Sequence, residues 1–305
     1  MLGICNIGVY IPKDRVSNYE RKEQFGIDDA FIETKIGVRY RSVKGPGEST
    51  ADLCLRALED LEQRYALNRA AVDCVTVVTQ NPGARIPHVS AILHGELGLP
   101  ESCAAFDISL GCSGYVYGLA TVQAFMRENG LRTGLMFTAD PYSNILDPED
   151  KNTSLLFGDA ATVTLISSEP AYLTTAFTFG TLGREHRELT CGDKTLYFNG
   201  RAIFNFAARY IPPDITRLLE KAGLRLADVD RFVFHQGSKY LLDTLTKLLK
   251  LDPAKVAYDI ADYGNTVSSS IPIILAKELD ARAGTLVISG FGAGLSWASA
   301  ILKKT

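Results

Sequence analysis

This sequence runs through one plan twice, and that limits its fold more than any other feature. Leu67-Asn-Arg-Ala-Ala-Val-Asp73 returns 157 residues later as Leu224-Arg-Leu-Ala-Asp-Val-Asp230. Asp107-Ile-Ser-Leu-Gly-Cys112 returns, with one residue inserted, as Asp259-Ile-Ala-Asp-Tyr-Gly-Asn265, so that Cys112 and Asn265 stand 153 residues apart. The apolar run at 133–140 returns at 284–291, an offset of 151. Any one match is within chance, but three in the same order imply a duplicated unit, and so long a period excludes a solenoid of short repeats. The 305 residues are therefore expected to form two similar halves, 1–166 and 167–305, facing each other across a pseudo-twofold axis.

Both halves alternate strand and helix signals. Val75–Thr79, Leu135–Thr138, Ala161–Ile166, Phe232–Phe234 and Thr285–Ile288 are short, apolar and rich in β-branched or aromatic residues, as buried strands are. Ala51, Cys54, Leu55, Leu58, Leu61 and Tyr65 share one helical face, with Ser49 placed to cap it and Asp52 in the first turn. The class is α/β with central sheets. In open α/β sheets ligands gather where loops leave the strand ends, so the repeat-related turns at Cys112 and Asn265 are expected to converge on a site.

Composition removes several classes of function. With 32 Lys+Arg against 35 Asp+Glu the formal charge is −3, and no long basic run offers a footprint for nucleic acid. No apolar stretch approaches the roughly 20 residues of a membrane span, and the amino-terminal MLGICNIGVYIPKDRV has no secretory pattern, which leads us to expect a cytoplasmic protein. Six dispersed cysteines without a C-x-x-C pair, and four dispersed histidines, argue against a disulfide framework and against a metal site.

Gly111-Cys112-Ser113-Gly114 falls between a strand and a helix-like run. A thiol at a helix N-terminus has its thiolate favoured by unpaired N–H groups and the helix dipole, and flanking glycines let a substrate come close; the alternative is an inert core cysteine. His235 ends the strand Phe232-Val233-Phe234, where it can donate a hydrogen bond or exchange a proton, or simply fix a loop. Asn265 is ordinary turn chemistry by itself and gains weight from the repeat. Gly290-Phe291-Gly292-Ala293-Gly294 has no G-x-G-x-x-G pattern; such a loop can present backbone N–H groups to a thioester oxyanion.

Together, Gly111-Cys112-Ser113-Gly114, His235-Gln236, Tyr263-Gly264-Asn265-Thr266 and Gly292-Ala293-Gly294-Leu295-Ser296-Trp297 resemble the β-ketoacyl-acyl-carrier-protein synthase III family of thiolase-fold condensing enzymes. Ile36-Gly37-Val38-Arg39-Tyr40-Arg41 and Leu156-Phe157-Gly158-Asp159-Ala160-Ala161 extend the resemblance over nearly the whole chain. It implies two βαβαβαββ halves in a five-layered αβαβα arrangement and a homodimer. It also implies an acyltransferase of fatty acid biosynthesis that needs no cofactor and uses coenzyme A or phosphopantetheine thioesters as substrates. An acyl group from acyl-CoA or acyl carrier protein would pass to Cys112. Malonyl-ACP or malonyl-CoA would then lose carbon dioxide, with His235 and Asn265 bonding its carbonyl oxygen, and the enolate would attack the acyl-enzyme. Backbone N–H groups of Cys112 and Ala293 match the family's oxyanion hole.

The resemblance also places Phe31, Lys35, Lys151, Leu156, Gly200, Phe204 and Ser238 along a substrate tunnel. Phe31 stands where tryptophan is usual, Lys35 and Lys151 where arginine is usual, and Ser238 where asparagine is usual. Lysine lacks the planar fork of arginine, so the grip on phosphate differs. Ile86 matches a residue that the partner subunit inserts into the acyl pocket, and its small size would admit a longer or branched chain. On the helix-like run 238–250, Lys239, Lys247 and Lys250 fall on one side, a docking face for an acidic carrier protein or a merely solvated one, with Leu241, Leu245, Leu248 and Leu249 opposite. Two other functions remain open: transfer of the acyl group to a different acceptor, and a non-catalytic partner subunit. A scaffold, however, has no need of Cys112, His235 and Asn265 together.

Overall fold

The computed structural model describes residues 1–192, 195–279, 281 and 283–305. The first half runs β1 (Gly3–Tyr10), α1 (Thr50–Arg64), β2 (Cys74–Val78), α2 (Val89–Glu96), β3 (Ala104–Ile108), α3 (Gly114–Glu128), β4 (Gly134–Ala139) and β5 (Ala161–Ser167). The second runs β6 (Tyr172–Thr181), α4 (Gly200–Ala222), β7 (Arg231–Phe234), α5 (Lys239–Leu248), α6 (Ser270–Glu278), β8 (Thr285–Gly292) and β9 (Ser296–Lys304). The strands are ordered β7-β8-β9-β6-β1-β5-β4-β2-β3, and β6 meets β1 through the single pair Ile4–Tyr172. In the first group β5 is antiparallel to both neighbours while β3, β2 and β4 are parallel. In the second, β9 is antiparallel to both of its neighbours.

Among the described residues, the second half gives the large sheet four strands where the first gives five. Where β3 pairs five residues with β2, the corresponding segment meets β7 at the bridge Phe232–Val256, backed by the Ala257 N–H to Phe232 carbonyl bond of 2.9 Å.

Side-chain alternation along the strands builds the layers. In β2, Val75 and Val77 face α1 and α2, while Cys74 and Val78 face α3. In β7, Phe232 and Phe234 face α4 and α5, while Val233 faces inward with Leu286 and Ile288 of β8. Val116, Leu119 and Val122 of α3 share that inner cluster with Ile271, Ile274 and Leu275 of α6. The result is a five-layered αβαβα stack, its two central helices supplied one by each half.

The repeats noticed in the sequence do the same work in space. Asp73 accepts the N–H groups of Arg132 and Thr133 at 2.7 and 3.0 Å, and Asp230 accepts those of Gly284 and Thr285, both at 2.8 Å. Asp73 thus ties the start of β4 to the start of β2, and Asp230 the start of β8 to the start of β7. Ser49 caps α1 as expected, in a full capping box with Asp52.

Helix α5 departs from expectation at Leu248, which is 52% exposed. Leu241, Leu242, Leu245 and Leu249 are buried. At 100° per residue their directions centre about a quarter-turn from Leu248, which therefore lies at the flank of the buried stripe instead of inside it.

Candidate active site

Cys112 sits in the turn between β3 and α3, two residues before the helix begins. Gly111 and Gly114 allow that turn: a Cβ at Gly111 would stand 2.5 Å from the Gln80 Oε1, and one at Gly114 equally close to Val78. From the other half, the β8 end brings Gly290 and Gly292 against the cysteine. A Cβ at Gly292 would lie 2.8 Å from both the Cβ and the Sγ of Cys112, so only glycine admits this approach. The backbone N–H groups of Cys112 and Ala293 both act on the sulfur in the direction that favours its thiolate.

The free thiol is not the activated thiolate expected of a helix N-terminus. Burial pushes Cys112 up to about 12, Asp140 adds to the rise, and the two N–H groups only partly oppose them. Desolvation of a fully enclosed sulfur outweighs the end of one helix.

Asn265 is held by the first half. Its N–H bonds the Leu156 carbonyl at 2.8 Å and its carbonyl accepts the Gly158 N–H at 3.0 Å. Its Oδ1 accepts the Val267 N–H at 2.9 Å, which fixes the amide so that Nδ2 faces His235 Nε2 at 3.4 Å. Val267 makes this turn at a φ of +52°, a left-handed conformation that a β-branched residue adopts only under constraint. The constraint is visible: Ser268 donates to the buried Asp140 at 2.6 Å, and the Ser269 Oγ lies 2.8 Å from the Thr138 hydroxyl.

His235 closes the group. Its Nδ1 lies 2.8 Å from Ser270 Oγ, and the Phe291 ring meets the imidazole edge-on at 5.6 Å. Burial lowers its pKa to about 3, against a smaller upward effect of the Val267 backbone, so the ring is neutral at physiological pH.

One cavity of about 1090 Å³ is lined by Cys112, His235 and Asn265 and also by Phe31, Lys35, Lys151, Leu156, Gly200, Phe204 and Ser238. Lys151 and Lys35 hold their ammonium groups 4.9 and 5.7 Å from the centre of the Phe31 ring, and Phe204 stacks on Tyr240 at 5.2 Å. Ser238 caps α5 through the Leu241 N–H. The sequence reading missed much of the wall: Tyr197 and Phe198 of the hairpin Leu189–Cys191/Leu196–Phe198, with Arg201, Tyr240 and Phe291. Tyr240 was within reach, two residues beyond Ser238 on the same helix, whereas a three-residue hairpin strand carries too little pattern to read.

Four expected residues lie outside the cavity lining. Ile86 is not on the cavity wall of its own chain and is 88% exposed. Lys239 is not a free docking cation: Asp243, one helical turn on, holds its ammonium at 2.8 Å. Lys247 and Lys250 are exposed. Among the described residues no cluster of three metal-ligating side chains occurs, and no helix is long and apolar enough to cross a membrane.

Known proteins share this fold. Residues 106–183 match the family described as 3-Oxoacyl-[acyl-carrier-protein (ACP)] synthase III, and residues 219–304 match the 3-Oxoacyl-[acyl-carrier-protein (ACP)] synthase III C terminal family. The beta-ketoacyl-[acyl-carrier-protein] synthase III of Geobacillus kaustophilus (strain HTA426) is 32% identical over 306 residues, covering 99% of this chain and 98% of the relative. A 2.1 Å crystal structure of a 3-oxoacyl-(acyl-carrier-protein) synthase III superposes with a TM-score of 0.93 at 32% identity, covering 99% of both chains. The Thermus thermophilus synthase III gives 0.92 at 32%, again over 99% of each. With the fold, the length and both family regions in agreement, the chain belongs to the β-ketoacyl-acyl-carrier-protein synthase III family of condensing acyltransferases.

Proposed function

We propose that the cavity performs two half-reactions on one sulfur. In the first, the carbonyl oxygen of an acyl-CoA or acyl-carrier thioester enters the pair of N–H groups of Cys112 and Ala293, and Cys112 Sγ attacks the carbonyl carbon. The C–S bond of the donor breaks, and the thiol proton of Cys112 ends on the departing sulfur. Because that proton leaves in step with the transfer, a thiol held near 12 serves without resting as a thiolate.

In the second, a malonyl thioester places its carbonyl oxygen between His235 Nε2 and Asn265 Nδ2. Carbon dioxide leaves, the enolate forms under those two neutral donors, and its carbon attacks the acyl carbonyl. The oxyanion passes through the same two N–H groups, and Cys112 is expelled and takes up a proton. A donor at Nε2 requires the His235 proton there, and the Ser270 hydroxyl, which donates to the Val267 carbonyl at 3.0 Å, would have to turn its proton to Nδ1 for that step. The apolar wall of Phe291 favours a carboxylate shedding its charge as a neutral gas.

The observation that carries this reading is the convergence of Cys112, His235 and Asn265, from three distant parts of the chain, on one buried cavity. The test is incubation with acyl-CoA and acyl-carrier thioesters, with intact mass and peptide mapping. An acyl adduct on Cys112, followed by carbon dioxide release and β-ketoacyl product with a malonyl thioester, is expected. An adduct confined to another cysteine overturns the assignment.

Phe31, Lys35, Lys151, Leu156, Gly200, Phe204 and Ser238 are proposed to hold the pantetheine arm and phosphates of the substrate, with no metal or other cofactor. A cytoplasmic homodimer completes the reading, together with the two halves 1–166 and 167–305. It is supported by the edge strand β3, which has a neighbour on one side only, and by the bare Ile86 side chain, both of which a second copy would cover. Ile86 of the partner subunit would then border the acyl pocket and admit longer or branched chains, which turnover with straight acetyl primers alone would contradict. Lys247 and Lys250 are left as the basic contribution of α5 to a carrier-protein surface.

A further inference from the structure

The two N–H groups that face Cys112 come from opposite halves of the chain, one from the turn before α3 and one from the loop after β8. Their separation therefore depends on whatever holds these two segments together. Gly290 and Gly292 permit close approach but do not fasten it. The fastening is a pair of buried hydroxyls: Ser113 Oγ lies 2.8 Å from Ser296 Oγ, and Ser296 Oγ donates to the Ala293 carbonyl at 2.8 Å. Ser296 has one proton and spends it on Ala293, so Ser113 is the donor in the first bond. The chain Ser113, Ser296, Ala293 runs from the residue after the nucleophile to the residue that supplies the second N–H.

Ser113 gives up a local bond to do this. It is the N-cap residue of α3, a position where serine ordinarily accepts an N–H of the first turn, yet it makes no cap bond. Ser49 and Ser238 do cap their helices. The N-cap of the other central helix behaves in the same way: Ser269, N-cap of α6, has φ −83° and ψ −11° against −84° and −11° at Ser113, and likewise makes no cap bond. Its hydroxyl also reaches across the halves, to Thr138. Both central helices thus use their N-cap serine as an inter-half fastener, and the one at Ser113 lies beside the sulfur.

We propose that Ser113 and Ser296 are positioning residues that set the spacing of the Cys112 and Ala293 N–H groups, and through it the rate of acyl transfer to Cys112. This rests on the acyl-cysteine reading above. The experiment measures two rates in wild type, Ser113→Ala, Ser296→Ala, the double variant and Ser296→Thr. One is acylation of Cys112 by an acyl-CoA, read by intact mass. The other is decarboxylation of malonyl-CoA without primer, which depends on His235 and Asn265.

Each alanine variant should slow acylation about two- to tenfold, the effect of one buried hydrogen bond, and leave decarboxylation unchanged. The double variant should be no slower than the slower single, because the two hydroxyls act as one link. Ser296→Thr, which keeps the hydroxyl, should restore the rate. Acylation at the wild-type rate in both single variants, effects that multiply in the double, or a parallel loss of decarboxylation with a lowered melting temperature each overturns the proposal. A wild-type protein that takes no acyl group on Cys112 overturns the acyl-cysteine reading and this inference with it.

Discussion

The turn before α3 and the turn before α6 match in backbone at their last residue and, on the proposed reading, are put to different chemical use. Each follows an Asp-Ile segment, each ends in a serine with the same backbone angles, and each opens a central helix. At the first, the chain presents a sulfur and surrounds it with backbone, from its own N–H and from the Gly290–Ala293 loop. At the second, the chain presents a carboxamide and surrounds it with side chains: His235, Ser270 and the fastened serines 268 and 269. A nucleophile that must be acylated needs open space and amide dipoles around it. A pair of neutral donors needs fixed tautomers and orientations. On the proposed reading, two turns with matching backbone angles serve as scaffolds and local side chains divide the labour.

The comparison is sharpest where it predicts that one turn fails while the other works. Cys112→Ala should abolish acyl-enzyme formation altogether yet leave malonyl thioester decarboxylation measurable. Asn265→Ala or His235→Ala should do the reverse, lowering condensation by about 10²- to 10³-fold while acylation stays within a few-fold, as single-turnover assays would report. If the Asn265 variant loses acylation in the same proportion, the division of labour is wrong. Gly292→Ala strikes only the first turn, where its methyl would press on the sulfur; a loss of about 10²-fold in acylation is expected from displacing the reacting atom.

Titration separates the two turns as well. With Cys112 held near 12, alkylation by iodoacetamide should rise about tenfold per pH unit between pH 7 and pH 10 without a plateau. A plateau near pH 8 would mean that the sulfur is not desolvated. His235, near 3 when folded and near 6.5 when unfolded, contributes stability that is complete above about pH 6.5 and lost as pH falls toward 3, at about 1.4 kcal/mol per unit. Denaturation of His235→Asn should lack that share of the slope. The smallest effect tests the duplication itself. Asp73→Ala and Asp230→Ala, which remove equivalent pairs of bonds, should each cost about 1 kcal/mol by chemical denaturation, and a large inequality would break the equivalence.

Much of the site was legible because its residue types are unusual where they stand. A glycine-flanked cysteine, a histidine at a strand end and an asparagine in the repeat-related turn each stand out locally, and short apolar runs rich in β-branched or aromatic residues mark β2, β4, β5, β7 and β8. The rest depended on distance. Lys239 reads as a cation until Asp243 is seen holding it, and the Cys112 turn reads as an activating helix end until burial is counted. Ser113 reads as a cap, and its actual partner lies 183 positions away.

The amino-acid sequence by itself determined the α/β class and pointed to the three residue types proposed for the chemistry, because periodicity, turn residues and repeats can be read along a chain. Only the tertiary structure decided the ionisation of Cys112 and His235, the orientation of the Asn265 amide and the fastening of the two halves around the sulfur. Desolvation and hydrogen bonding are set by which atoms surround a group, and those atoms come from segments that are remote along the chain and meet only when both halves are folded.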